Sequence, residues 1–246
     1  MRSAANGDRE FEGKVSTIIG DAYHQLAMSE PGSAVQHMPL AVEAYERGVK
    51  IAEKDPRNQK LVGSGYSKLG LCWIVPGHND WNVALTYLEK SRKACIAAKD
   101  TQGEARADGN LGAACEAQHE YKRAIAHFER SLDICMRIGD RRSVAQVHGN
   151  LGICWERLGD YEKAIELQER CMSVHEELGN KTSALAAAEW VRLHLSDPIL
   201  RCPPHPQHRP PLHVSHPLHP SPGNLHARTL HLQHTTPPLG RQTAIY

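Results

Sequence analysis

The sequence predicts an all-α fold, a solenoid of antiparallel helix pairs followed by a disordered C-terminal tail. Three observations carry that expectation. A motif recurs at a spacing of forty residues, the apolar side chains of each copy fall at helical intervals, and beyond Asp197 the composition changes to one that cannot form a core.

The period is clearest in the middle of the chain. Gly109-Asn110-Leu111-Gly112 returns as Gly149-Asn150-Leu151-Gly152, and the register then holds, with Tyr121 mapping to Tyr161, Ala124 to Ala164, Ile125 to Ile165 and Gly139 to Gly179. One period earlier than Tyr121, Ala124, Glu129 and Cys135 stand Trp81, Ala84, Glu89 and Cys95, so a further copy precedes these two. Its first half, Leu69-Gly70-Leu71-Cys72-Trp73, is displaced by two more residues because the connection 75–80 is longer. A weaker copy begins near Ser16, with Gly20 and Tyr23 in the roles of Gly70 and Trp73. Self-similarity at this period is the signature of a stacked repeat architecture.

The elements follow in order. Residues 1–13 are expected to be a flexible lead and 14–197 a helical repeat domain, with units at about 16–57, 64–101, 104–141 and 144–181 and a terminal helix over 182–196. In the second half of a unit Tyr121, Ala124, Ile125, Phe128, Leu132 and Cys135 share one face of a 3.6-residue helix. Gly139 and Gly179 then stop their helices, since glycine tolerates the left-handed backbone that ends one. The first half, about 104–117, is Ala-rich and free of Pro. Tight turns at 118–120 and 158–160 make the two helices antiparallel. Gly20, Gly70, Gly112 and Gly152 sit inside first helices, where glycine costs about 1 kcal/mol relative to alanine. Ala124 and Ala164 are expected opposite the last two, small against small. Trp73, Trp81 and Trp155 fall in equivalent apolar slots and are expected in the core. Trp190 takes the place of Asn150 in the terminal helix, where Arg192 replaces the usual glycine.

One helical pair cannot bury both of its apolar stripes, whereas stacked neighbours share a continuous core. The segment 198–246 offers no such stripe. It holds eleven Pro and eight His, carries four Arg and no acid, and is expected to be disordered. His205, His208, His213, His216 and His219 have neither Cys nor carboxylate partners there, so no metal site is expected.

Composition excludes several function classes. The 29 Lys and Arg nearly balance 28 Asp and Glu, without the dense basic load that phosphate-backbone binding needs, so no nucleic acid partner is expected. No apolar run reaches the roughly 18 residues of a membrane-spanning helix, and the first twenty residues lack a signal peptide's apolar stretch. Seven cysteines, an odd number without a CxxC pair, read as small buried hydrophobes in a reducing compartment, which makes the cytoplasm the expected location. No GxxxxGK[ST], GxSxG, HExxH or strand-borne GxGxxG is present, so neither an enzyme nor a cofactor is expected.

Leu151-Gly152 with Trp155, Ala164 and Gln168, and Leu111-Gly112 with Ala124, Phe128 and Ser131, resemble the tetratricopeptide repeat. The forty-residue form, with GNLG and LGDYEKAI, is similar to repeats of the Partner of Inscuteable and kinesin light chain type. The resemblance spans about 14–181. It implies a right-handed superhelical solenoid whose first helices line a concave surface that takes a peptide from a partner. On those helices Arg106, Asn110, Ala113 and Ala117 form one stripe, Gln146, Asn150, Ile153 and Arg157 repeat it, and Ser64, Lys68, Leu71 and Val75 are the equivalents one unit earlier. In such relatives an asparagine of this motif holds the ligand's main chain, which Asn110 and Asn150 match; an amide both donates and accepts. Lys68, Arg106 and Arg157 would favour an acidic segment. The expected site is therefore Lys68, Arg106, Asn110, Gln146, Asn150 and Arg157, and the expected function is a protein-binding adaptor for an extended or acidic peptide. The alternative is a structural module that self-associates through its uncovered ends.

Overall fold

The computed structural model describes residues 2–29, 33–74 and 80–196, with side chains described from Glu10 to Leu193. Nine α-helices and no strand occur among them: α1 (Arg2–Ser29), α2 (Ala34–Ala52), α3 (Gln59–Cys72), α4 (Trp81–Ala97), α5 (Thr101–Ala117), α6 (Tyr121–Ile138), α7 (Arg141–Leu158), α8 (Tyr161–Glu177) and α9 (Lys181–Ser196). The helix α1 begins at Arg2, so the stretch 1–13, expected to precede the first helix as a flexible lead, belongs to it from its second residue on. Cys202 and the Pro- and His-rich segment lie outside the described residues.

The helices are delimited by chemistry that repeats with the sequence. The Asp80, Asp100, Asp140 and Asp160 carboxylates accept hydrogen bonds from the backbone N–H groups of Val83, Gly103, Ser143 and Lys163, capping α4, α5, α7 and α8. Each cap satisfies one of the donors a helix start leaves unpaired, a contribution of about 1 kcal/mol. At the other ends Gly139, Gly159 and Gly179 adopt φ of +73°, +85° and +70°. The equivalent turns after α4 and α5 force the same left-handed region on Lys99 and His119, at φ 53° and 62°.

Helices pair in sequence, α1 with α2, α3 with α4, α5 with α6 and α7 with α8, and each pair packs on the next. Within a pair a recurring bond ties second helix to first: the Ser91 hydroxyl donates to the Gly63 carbonyl and the Ser131 hydroxyl to the Ala105 carbonyl, both at 2.8 Å. The Gln168 amide donates to the Gly149 carbonyl at 3.1 Å. Phe128, Leu88, Leu111, Ala124, Cys115 and Cys154 are wholly buried between pairs. Full burial of a Leu or Phe contributes about 2–3 kcal/mol, so the shared core holds the stack together.

The glycines meet different neighbours from those expected. A Cβ on Gly112 would lie 2.6 Å from the Phe128 ring, one on Gly152 2.9 Å from the Gln168 amide, and one on Gly70 2.7 Å from Leu88. Large side chains of the second helix therefore sit on the bare backbone of the first, sixteen rather than twelve residues on in the two regular units, and Ala124 and Ala164 are buried without being the partners. Trp73, Trp81 and Trp155 are half-buried rather than enclosed; Trp155 packs against the Phe128 and Leu151 cluster, with Lys163 4.1 Å over its ring.

Odd-numbered helices touch one another across units, α1 with α3, α3 with α5 and α5 with α7, whereas even-numbered helices make no comparable contact among the described residues. This closer approach makes the odd-helix side the inner side of the array.

Candidate peptide-binding face

All six expected site residues lie on α3, α5 and α7, the helices that meet along the inner side. Their environments differ. Arg106, Gln146 and Arg157 are exposed, Lys68 and Asn110 are half-buried, and Asn150 is 7% exposed. Val75, the last member of the α3 stripe, lies outside the described residues.

Two of the six are engaged within the fold. The Lys68 ammonium donates to both carboxylate oxygens of Asp21 on α1, at 2.6 and 2.5 Å, and stands 5.7 Å from the centre of the Tyr45 ring. Tyr45 in turn donates its hydroxyl to Asp21 at 2.8 Å. Burial, and then the bond to Asp21, push the Tyr45 phenol well above its ordinary range. Asn110 donates through Nδ2 to the Ser67 hydroxyl of α3 at 3.1 Å. The first two steps of the inner face are thus bridged by side-chain bonds, α1 to α3 and α3 to α5.

Asn150 is in another state. Its Oδ1 is buried and no protein group pairs it. The register also differs beside it: Ser67, three residues before Gly70, corresponds to Gly109, three before Gly112.

The electrostatics of the face are mixed. Burial raises the Glu116 carboxyl above its usual range, with Arg157 pulling the other way. Arg157 therefore stands in the field of a nearby carboxylate, and Lys68 holds one directly, which leaves the face less cationic than its three basic residues suggest.

A further cluster was not read from the sequence. Asp108 of α5 is fully buried and gathers Arg92 of α4 (Nε to Oδ2, 3.0 Å) with His127 (Nδ1 to Oδ1, 3.0 Å) and Arg130 (Nε to Oδ1, 3.2 Å) of α6. Burial alone would raise this carboxyl, but the bonds from His127, Arg92 and Arg130 outweigh it and hold the group below its usual range. The signal was an aspartate between the small residues Ala107 and Gly109 of α5, but its three partners come from two other helices, and no local pattern joins them. Among the described residues no group of His, Cys, Asp and Glu is arranged to hold a metal. The six described cysteines are all buried and unpaired with one another. Burial pushes the Cys72 and Cys154 thiols up to about 12 and Cys171 to about 11, which suits packing rather than nucleophilic chemistry.

Comparison with known proteins agrees with the geometry. A tetratricopeptide-repeat family model matches residues 78–137 and 103–177. Residues 78–177 carry tetratricopeptide repeats. No curated protein matches its sequence. Among solved structures, aspartyl phosphate phosphatase F from Bacillus subtilis is similar with a TM-score of 0.67 and 17% identity, over 78% of this chain and 48% of that one. The apo form of RapI gives 0.56 and 17%, over 65% and 45%. The tetratricopeptide-like repeats of a putative kinesin light chain from Podosopora anserina give 0.52 and 16%, over 73% and 93%. This chain spans about half the length of the first two, and at such identities the likeness is one of fold. Tetratricopeptide-like repeats generally mediate protein–protein interactions. No described helix is long and apolar enough to cross a membrane.

Proposed function

We propose that the chain is a protein-binding scaffold whose inner, odd-helix face takes an extended segment of a partner protein, with Lys68, Arg106, Asn110, Gln146, Asn150 and Arg157 supplying the contacts. The observation that supports this reading is the approach of odd helix to odd helix among the helices that carry these six residues. An extended segment presents main-chain donors and acceptors at every residue, and a stripe of amides and cations can meet them without a deep pocket. A strong preference for acidic segments is not favoured, because Asp21 neutralises Lys68 and Glu116 lies in the field of Arg157. Substituting Asn110 and Asn150 together with alanine in the full chain tests the reading. Captured partners should fall at least tenfold with helicity unchanged, and an unchanged bound set contradicts it.

A second reading, self-association through the ends of the array, is favoured by one observation. On α1 Phe11 and Ile18 are 70% and 64% exposed, and on α9 Leu185 is 69% exposed. Ala105 and Ala145, which occupy the Leu185 position in α5 and α7, are buried against a second helix of their own. Light scattering across a hundredfold concentration range separates the readings: a rising mass that Ile18→Asp abolishes supports self-association, and a constant monomer mass removes it.

A further inference from the structure

We propose that α1 is a dimerisation helix: the apolar stripe it turns away from α2, formed by Phe11, Val15, Ile18 and Ala22, seats antiparallel on the same stripe of a second copy and closes a twofold dimer. This rests on the self-association reading and narrows it to one end of the array and one geometry.

Each first helix after α1 packs on the second helix before it. One residue before and two after the central glycine, Leu111 and Ala114 of α5 share a buried cluster with Leu88 of α4, and Leu151 and Cys154 of α7 share one with Ile125 and Phe128 of α6. Counted from Gly20, the same positions of α1 are Ile19 and Ala22, and there Ile19 is only half-buried and Ala22 is exposed. Phe11, Val15, Ile18 and Ala22 stand at i, i+4, i+7 and i+11, one face of the helix. That face lies opposite Gly13 and Gly20, which approach Gly48 and Tyr45 of α2. Phe11 and Ile18 are among the most exposed large apolar side chains described, and covering such a stripe is favourable.

The other end of the array offers no cover. The seat on α8 that a next first helix would take is filled by α9, with Ala184, Ala187 and Val191 buried. On α9 itself Arg192 stands at the position of Gly152, the glycine on which a second helix seats. Copies therefore cannot add head to tail in the register of the repeat, and the arrangement left to α1 is a closed one with its own copy. Antiparallel pairing suits the sequence, because Phe11 then meets the small Ala22 of the second copy and Val15 meets its Ile18, each contact occurring twice. Lys14 and Asp21 lie along one edge of the stripe, their side chains about half exposed. The same pairing brings Lys14 of either copy towards Asp21 of the other, where parallel pairing would set like charges together.

The test is sedimentation equilibrium of the full chain over a hundredfold concentration range, joined to cysteine cross-linking. The expected result is a monomer–dimer equilibrium that Ile18→Asp weakens at least tenfold and Leu185→Asp less than threefold, with unaltered circular dichroism showing that both variants fold. In a Cys202→Ser background, a mixture of Phe11→Cys and Ala22→Cys chains should cross-link to a dimer under mild oxidation while neither does so alone, because in the antiparallel pair each lies about 16 Å along the axis from its own counterpart. The cross-link carries the test if Ile18→Asp does not fold. Phe11→Cys chains that cross-link with themselves overturn the antiparallel pairing. Masses that grow past the dimer, or a loss caused by Leu185→Asp and not by Ile18→Asp, overturn the assignment to α1 and leave the self-association reading standing. A constant monomer mass removes both.

Discussion

Replacing Gly112 by alanine tests the packing account at its tightest point. The new Cβ would lie 2.6, 2.7 and 2.9 Å from Cε1, Cδ1 and Cγ of Phe128. That ring is completely buried, so relief requires α5 and α6 to move apart. Overpacking of this kind costs about 1–3 kcal/mol, against a gain of about 1 kcal/mol from replacing a helical glycine by alanine. Gly109→Ala is the matched control on the same helix, because it takes the same propensity gain with only a 3.5 Å contact to Ser131. The two variants should thus differ by about 1–3 kcal/mol, with Gly112→Ala the less stable, which for a domain of this size is a gap of several degrees in Tm, at about 2–4 °C per kcal/mol. Urea and thermal unfolding followed by circular dichroism measure it, and Phe128→Leu should shrink the Gly112→Ala penalty by vacating the ring edge. Equal midpoints for Gly112→Ala and Gly109→Ala would refute the claim that Phe128 seats on the glycine.

The other predictions concern buried polar groups. Asp108→Asn removes the anion shared by Arg92, His127 and Arg130, and should destabilise by about 2–3 kcal/mol, less than the ~3–5 of a fully buried pair because both arginines keep solvent contact. The Asp108 carboxyl is held below its unfolded value of 3.8, so its contribution is complete above that pH and lost as pH falls through the folded value; the variant should lack this acid limb in urea titrations. His148 and His175 are buried with Nδ1 unpaired by protein groups and are lowered from 6.5, His148 by burial and then by Arg170, His175 by burial. Below pH 6.5 the unfolded chain therefore binds more protons at these sites than the folded one, and stability should decline until the folded values are passed. Replacing both with glutamine should flatten the urea midpoint between pH 7 and pH 5, and an unchanged slope would contradict the burial. The raised Cys72, Cys154 and Cys171 thiols should react with an aromatic disulfide at pH 8 only after unfolding.

The repeat made most of this fold legible. Helical spacing from Tyr121 to Cys135 and the glycines at 139 and 179 locate α6, α8 and their stops, because both signals are local in the chain. The N-terminal extent of α1 was not legible, since Arg2 to Gly13 carries charges and few apolar residues, and its helix adjoins a longer amphipathic stretch. The wrong partners assigned to Gly112 and Gly152 have a related origin. Small-against-small packing is a plausible rule, but the facing residue is set by how two helices cross, and that put Phe128 and Gln168 there instead. At the candidate face, sequence placed Lys68, Asn110 and Asn150 on one stripe without revealing that Asp21 and Ser67 engage two of them. Those partners sit on the preceding odd helix, more than forty residues away, where only the superposition of units brings them close. The Asp108 cluster escaped for the same reason.

The most direct test of the central claim is amide chemical-shift mapping of the full chain on titration with a library-selected dodecapeptide. The account predicts that the shifted resonances run along α3, α5 and α7, around Lys68, Arg106, Asn110, Gln146, Asn150 and Arg157. Shifts confined to the even-numbered helices, or to the outer faces of α1 and α9, would contradict it.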